Sequence, residues 1–390
     1  MSATNAKRRC RMPEIDPRSA IRHRQPGLDL LRAIAIVLVV LYHAGLFGFE
    51  LPHDLQRFGW IGVDLFFVLS GYLIAGQLLS ALARGKKLNA RRFYWRRALR
   101  ILPAYLVVVA ICVLLPSWRE YPTMPPLWKF LTFTQNLGLR GGTTFSHAWS
   151  LCIESQFYLV LPFLLLALAR FRRGHWLVPC AVLLCGIVIR GVLAHINLSS
   201  PSPSFGFWQK FIYYPTYARL DPLTMGVTLA AIESFRPAWW ATLMKTAKWI
   251  WAPGIALIVV ALALAEDSLS VASCAVGFPL IALGFSALLI CAVSPETPLS
   301  RVAVPGAAFL ATVAYSIYLS HKLVIHWTLG FSAAHSIAIP SLPAYLLMLF
   351  SILVAGAALF FAVERPFLQM RQRYVKRPAE FAQMHPNARR

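Results

Sequence analysis

Charge is scarce in this 390-residue sequence, and acidic charge scarcest: 15 Asp and Glu face 38 Lys and Arg, and charged residues make up 14% of the chain. Apolar residues make up 58% and the mean hydropathy is +0.60, a balance that excludes an ordinary soluble protein. Cysteine offers no cross-links. Six of the seven (Cys112, Cys152, Cys180, Cys185, Cys274 and Cys291) fall within apolar runs, and Cys10 lies near the start. No Cys/His spacing resembles a zinc site, no pair outside the runs invites a disulfide, and no metal is called for. There is also no P-loop, no dinucleotide-type glycine motif and no internal repeat.

What is present is apolar length. Ten segments are long enough to span a bilayer, at about 28–49, 59–82, 98–115, 148–169, 176–195, 217–233, 249–265, 269–293, 305–329 and 341–363. The expected fold is therefore an all-α integral membrane bundle of about ten helices, with both termini on one side. The sixth segment is the weakest, because Arg219 and Asp221 stand at its start. Of the 38 basic residues, 29 fall in the tails and loops of one side and five in the opposite loops. The positive-inside rule makes the crowded side cytoplasmic, with both termini there, in a multi-pass protein of the plasma (inner) membrane. The net charge of +23 is then mostly a topology signal, with attraction to anionic membrane lipid as a by-product. Basic residues spread over alternate loops build no nucleic-acid groove. Residues 1–27 and 368–390 read as basic cytoplasmic tails, the first of them disordered, around one membrane domain at 28–367. The first apolar run is too long, and too charged at Asp29 and Arg32, for a cleaved signal peptide.

Ionisable residues at membrane depth are costly and mark functional paths by default. Arg32 and His43 are eleven positions apart, about 1100° of helical rotation, so they share one face about three turns apart, with Asp29 on the same stripe. Asp64, Glu154, Arg219, Asp221, His321 and Lys322 all fall in the same outer half when placed by about 1.5 Å per residue. Structural readings stand beside the functional ones. Asp64 with Arg219, or Asp221 with Lys322, would serve as ion pairs, and His321 as a helix–helix hydrogen bond. Trp149 and Trp60 would serve as interfacial belt residues. His147, Ser150 and Glu154 share a helix face by their spacing. On the other side, Arg96, Arg97 and Arg100 lie among Phe93, Tyr94 and Trp95 at the mouth of the third span. Guanidinium forks suit phosphate and aromatic faces suit a purine, a combination that fits a phosphorylated nucleotide carrier.

Seven motifs in order resemble acyltransferase family 3, integral-membrane enzymes that O-acylate carbohydrates and related molecules. They are Leu28-Asp-Leu-Leu-Arg32 with His43; Gly62-Val-Asp64-Leu-Phe-Phe-Val-Leu-Ser-Gly-Tyr-Leu73; the run from Phe93 to Tyr105; His147-Ala-Trp-Ser-Leu-Cys-Ile-Glu154-Ser-Gln-Phe-Tyr158; Arg219-Leu-Asp-Pro-Leu-Thr-Met-Gly226; Tyr315-Ser-Ile-Tyr-Leu-Ser-His321; and Glu364-Arg-Pro366. The resemblance implies a donor acyl-CoA, acetyl-CoA foremost, taken from the cytoplasm, and an acceptor hydroxyl on a saccharide, glycolipid or related molecule. Arg32 and His43 match the family's essential arginine and histidine, and Arg97 and Arg100 match its arginine motif. Where many members carry a second acidic residue after the one matching Glu154, this chain has Ser155.

Joined to the reading of the residues, the resemblance assigns catalysis to His43, Glu154, Asp64 and Arg32. CoA binding falls to Arg96, Arg97 and Arg100, and substrate binding to Trp149, Ser150, Arg219, Asp221 and His321. His43 is expected as general base or as the site of an acyl-histidine intermediate, with Glu154 or Asp64 fixing its tautomer. With only a short tail after the last span, transfer is expected to finish within the membrane domain or pass to a partner. A polytopic transporter or flippase for a glycan or lipid-linked substrate is the rival, since polar residues on several spans also build transport paths.

Overall fold

The computed structural model describes residues 25–168 and 176–371. The readings made for 1–24, 169–175 and 372–390 lie outside the described residues. Ten long helices follow the apolar segments: α1 (Pro26–Leu46), α2 (Ile61–Ala83), α3 (Ala90–Leu114), α4 (Trp149–Leu168), α5 (Leu177–Leu198), α6 (Asp221–Phe235), α7 (Pro237–Leu264), α8 (Phe278–Val293), α9 (Ala307–Ala334) and α10 (Leu342–Leu359). Among the described residues, nine helical segments are long and apolar enough to cross a membrane. The exception is α6, only 15 residues long. The fold is that of an all-α membrane protein. Helix begins at Pro26, inside the stretch read as a tail, and continues beyond α10 through 371.

Burial sorts the helices into an inner and an outer set. The spans of α8 and α9 are 72% and 67% buried, against 17% for those of α5 and α7. The outer helices instead display Leu, Val, Phe and Trp side chains, among them Leu177, Leu184, Trp249 and Val259, which is the surface a lipid solvent favours. The short α6 is fixed by close approach to α2. A Cβ on Gly71 would lie 2.2 Å from the Leu223 carbonyl oxygen, and one on Gly226 would lie 2.2 Å from that of Val68. Only two facing glycines allow backbones this near, and in a bilayer such packing is a main source of helix association.

Helix starts set the registers that matter for function. Pro26 opens α1 with Asp29 in its first turn, where a carboxylate favours the positive end of the helix dipole. The side chain of Asn89 caps α3 by accepting from the Arg92 N–H at 2.8 Å, which fixes the arginine run onto the second and third turns.

Candidate active site

Two cavities open toward opposite ends of α1, and of the polar residues expected to share one layer Glu154 lines one, His43 and Lys322 line the other, and Asp64, Arg219, Asp221 and His321 line neither. The first, about 560 Å³, is lined by Asp29 and Arg32 from the start of α1, and by Arg97, Arg100, Glu154 and Arg371. The second, about 200 Å³, is lined by Tyr42 and His43 near the end of α1, His147, Lys322 and a set of aromatic side chains. Arg32 and His43 do share a helix face, yet their spacing of about 16 Å along the axis puts one in each cavity.

In the arginine cavity the guanidinium groups are held individually. Arg32 pairs with Asp29 at 3.3 Å. Arg100 forms an ion pair with buried Glu364, whose other oxygen accepts from Ser316 at 2.8 Å. Glu364 closes a π-helical turn, Phe360–Glu364, that follows α10. The Arg97 guanidinium lies 5.9 Å from the centre of the Tyr158 ring, and the Tyr158 hydroxyl donates to Glu154 at 3.2 Å and touches Ser70. Arg97 and Arg100 line the cavity because they are three positions apart on one helix; Arg96, one position earlier and about 100° round, is not among its walls.

The other cavity is built around three imidazoles, His43, His147 and His321, with ring centres 4.8 to 6.0 Å apart. Backbone carbonyls only accept, so they assign the tautomers. His321 donates from Nδ1 to the Tyr318 carbonyl at 2.8 Å, leaving Nε2 as an acceptor 3.2 Å from Nδ1 of His43. His43 Nδ1 also lies 2.8 Å from the Val39 carbonyl and therefore carries the proton. Its Nε2 is left with a free lone pair, the form a general base requires. His321 itself is fully buried, behind His43 rather than on the cavity wall. His147 donates from Nε2 to the Leu319 carbonyl at 3.3 Å.

Neither carboxylate expected to orient His43 is engaged in doing so. Asp64 is bound to Arg219 at 2.9 and 3.0 Å, and Glu154 belongs to the arginine cavity. The orienting groups are Val39 and His321. Arg219 and Asp221, expected at the substrate, are fully buried in ion pairs and line neither cavity. Asp221 is taken by Arg190 at 2.7 and 3.0 Å, not by Lys322. Arg219 stands behind the aromatic wall, its guanidinium 4.0 Å from the Phe278 ring centre, 4.9 Å from Tyr213, 5.4 Å from Trp149 and 6.0 Å from Trp60. All four rings line the histidine cavity, so Trp149 is a wall residue there. Ser150, one position on, faces the arginine cavity instead.

Lys322 is paired with Glu120 at 3.4 Å and donates to Ser146 at 3.1 Å. Glu120 also accepts from the Phe145 N–H at 2.8 Å. Phe145 sits at φ +57°, a left-handed conformation costly for a bulky residue, and this turn delivers Ser146 and His147 to the site. Reasoning from the sequence missed Glu120, Arg190, Tyr318 and Arg371. The lone charge in the fifth apolar run was a readable signal for Arg190, and the i−3 spacing from His321 was one for Tyr318. Glu120 lies in an aperiodic loop that offered none.

The chain belongs to the family described as "Acyltransferase domain", whose profile matches residues 25–361. Among its relatives, the peptidoglycan O-acetyltransferase OatA of Listeria monocytogenes is 29% identical over 227 residues, 54% of this chain and 34% of that protein. The O-acetyltransferase OatA of Staphylococcus aureus is 30% identical over 228 residues, 53% of this chain and 34% of that protein. The matched region thus spans about a third of the length of these curated relatives. No solved structure matches the chain.

Proposed function

We propose that this protein is a membrane-embedded O-acyltransferase that moves an acyl group, acetyl foremost, from acyl-CoA to a hydroxyl of a saccharide or lipid-linked acceptor. The carrying observation is the pair of cavities at opposite ends of one helix, guanidinium groups in the first and imidazoles with aromatic walls in the second. The excess of basic residues in the loops on that side supports a cytoplasmic position for the arginine cavity at the plasma membrane, where the CoA pool is. Arg32, Arg97 and Arg371 would receive the phosphates, with Arg100 braced by Glu364. Trp60, Trp149 and Tyr213 offer flat apolar faces on which a pyranose ring can stack from the other side.

In the transfer, Nε2 of His43 removes the acceptor hydroxyl proton and the oxygen attacks the thioester carbonyl carbon. The carbon–sulfur bond then breaks, and the imidazolium returns its proton to the departing thiolate. His321 accepts from Nδ1–H of His43 and steadies the imidazolium. The relatives' printed names support acetyl as the group and peptidoglycan as one acceptor class.

The test is purified protein with radiolabelled acetyl-CoA and soluble peptidoglycan fragments. Acceptor-dependent release of free thiol with label on the glycan is expected; uptake of label without turnover would place the protein among transporters instead. Sidedness is checked separately, with single cysteines on a background lacking the native ones. Positions in the 116–146 loop should react with an impermeant thiol reagent on intact cells, and positions in 84–92 only after permeabilisation.

A further inference from the structure

The acyl group must leave a cavity that holds no histidine and reach one that does. Among the described residues, only Val63 and Tyr318 line both cavities, so the two compartments meet at a single contact. The Tyr318 side chain is buried, with its ring edge-to-face with Phe66 at 6.4 Å and with His147 at 5.5 Å. Its hydroxyl donates to the His147 carbonyl and accepts from Ser150 Oγ at 2.5 Å. One of these partners belongs to a residue of the arginine cavity and the other to a residue of the histidine cavity. The phenol thus ties the two walls together.

We infer that Tyr318 is the barrier between the donor and acceptor compartments, and that the opening its ring leaves sets which acyl groups can pass. The inference rests on the two-cavity reading of the transfer. Rotation of the ring about its side-chain torsion breaks the two hydroxyl contacts and the ring contacts with Phe66, His147 and His321. It leaves the Tyr318 carbonyl in place, and that carbonyl is the group that orients His321 and through it His43. The barrier therefore opens with the hydrogen bonds that orient the base still in place. A single displaced phenol makes room for a short acyl group and not for a long chain. Closed, it keeps water of the acceptor cavity from the thioester. Such water would add its oxygen to the carbonyl carbon, expel the thiol and yield the free acid.

The experiment uses the full chain in liposomes with acetyl-, butyryl- and octanoyl-CoA and no acceptor. Tyr318→Ala should raise thiol release at least tenfold and extend it to octanoyl-CoA. Tyr318→Phe keeps the ring but loses the latch, so it should raise release from acetyl-CoA several-fold and leave octanoyl-CoA excluded. Release and chain-length range unchanged in Tyr318→Phe and in a folded Tyr318→Ala would overturn the assignment.

A second readout needs no turnover. Leu73 lines the arginine cavity. A small thiol reagent added on the side of the 116–146 loop should modify Leu73→Cys slowly with Tyr318 present and at least tenfold faster beside Tyr318→Ala. Equal rates would remove the barrier even if acyl transfer is established. Faster labelling in a protein that transfers nothing would keep the barrier and refute the acyltransferase reading.

Discussion

Two sets of arginines lie at membrane depth in this bundle, and they are handled in opposite ways. Arg190 and Arg219 are fully buried, each bound to one carboxylate, Asp221 and Asp64, and line neither of the two cavities. Arg32, Arg97 and Arg100 are half-buried and face an open cavity. Depth sets them toward opposite ends of the bundle but says nothing of what each guanidinium meets. What separates them is whether the guanidinium still faces space that a ligand can fill. A paired, enclosed arginine serves the wall; one that borders a cavity is available for chemistry.

That division is open to experiment, and the histidine it points toward carries the largest effect. His43→Ala should lower acyl transfer by about 10²–10⁴-fold, the usual contribution of a general base, while acetyl-CoA binding measured by calorimetry stays close to wild type. Near-normal turnover would show that the cavity with the imidazoles is not where the proton is taken.

The enclosed pairs should behave as structure. Asp64→Leu leaves the Arg219 guanidinium buried without its carboxylate, and thermal unfolding in detergent should register a loss of about 3–5 kcal/mol. Asp64→Leu combined with Arg219→Met should recover most of that loss, because an uncompensated charge, not a missing contact, is the fault. If the double variant stays as unstable as the single one, the pair does more than hold a wall.

Among the open arginines, Arg97→Ala should raise the KM for acetyl-CoA about ten- to hundredfold with little change in kcat at saturation, since a phosphate contact is made equally in the ground and transition states. Arg97→Lys should restore only part of it, lacking the planar fork. A kcat effect without a KM effect would move Arg97 out of the binding set. Smallest is His321→Ala. It removes one hydrogen bond to His43 and should cost about tenfold in kcat, with the KM for acetyl-CoA unmoved.

Much of the fold was legible because a bilayer enforces long, continuous apolar helices: each of the ten runs became helical, and among the described residues nine helical segments are long and apolar enough to cross. The site was legible residue by residue but not as an arrangement. The helical repeat placed Arg32 and His43 on one face correctly, yet it carries no information about the wall between them. Asp64–Arg219 followed from matched depth and opposite charge. The partner of Asp221 did not: depth and charge pointed to Lys322, and packing chose Arg190, which the sequence reading had missed. Glu120 was invisible to periodicity, being supplied by a loop whose fold depends on Phe145 and Thr144 closing back onto Glu120, Tyr121 and Thr123.

The contact between Gly71 and Gly226 has a mechanical side. Two helices locked backbone to backbone, and tied again where Asp64 on α2 holds Arg219 just ahead of α6, form a stiff strut that cannot bend at either point. The Val63 half of the passage belongs to that strut and stays put. Whatever breathing lets an acyl group through must therefore come from the opposite jamb, α9 with its tyrosine, so that one side of the doorway is frame and the other is hinge.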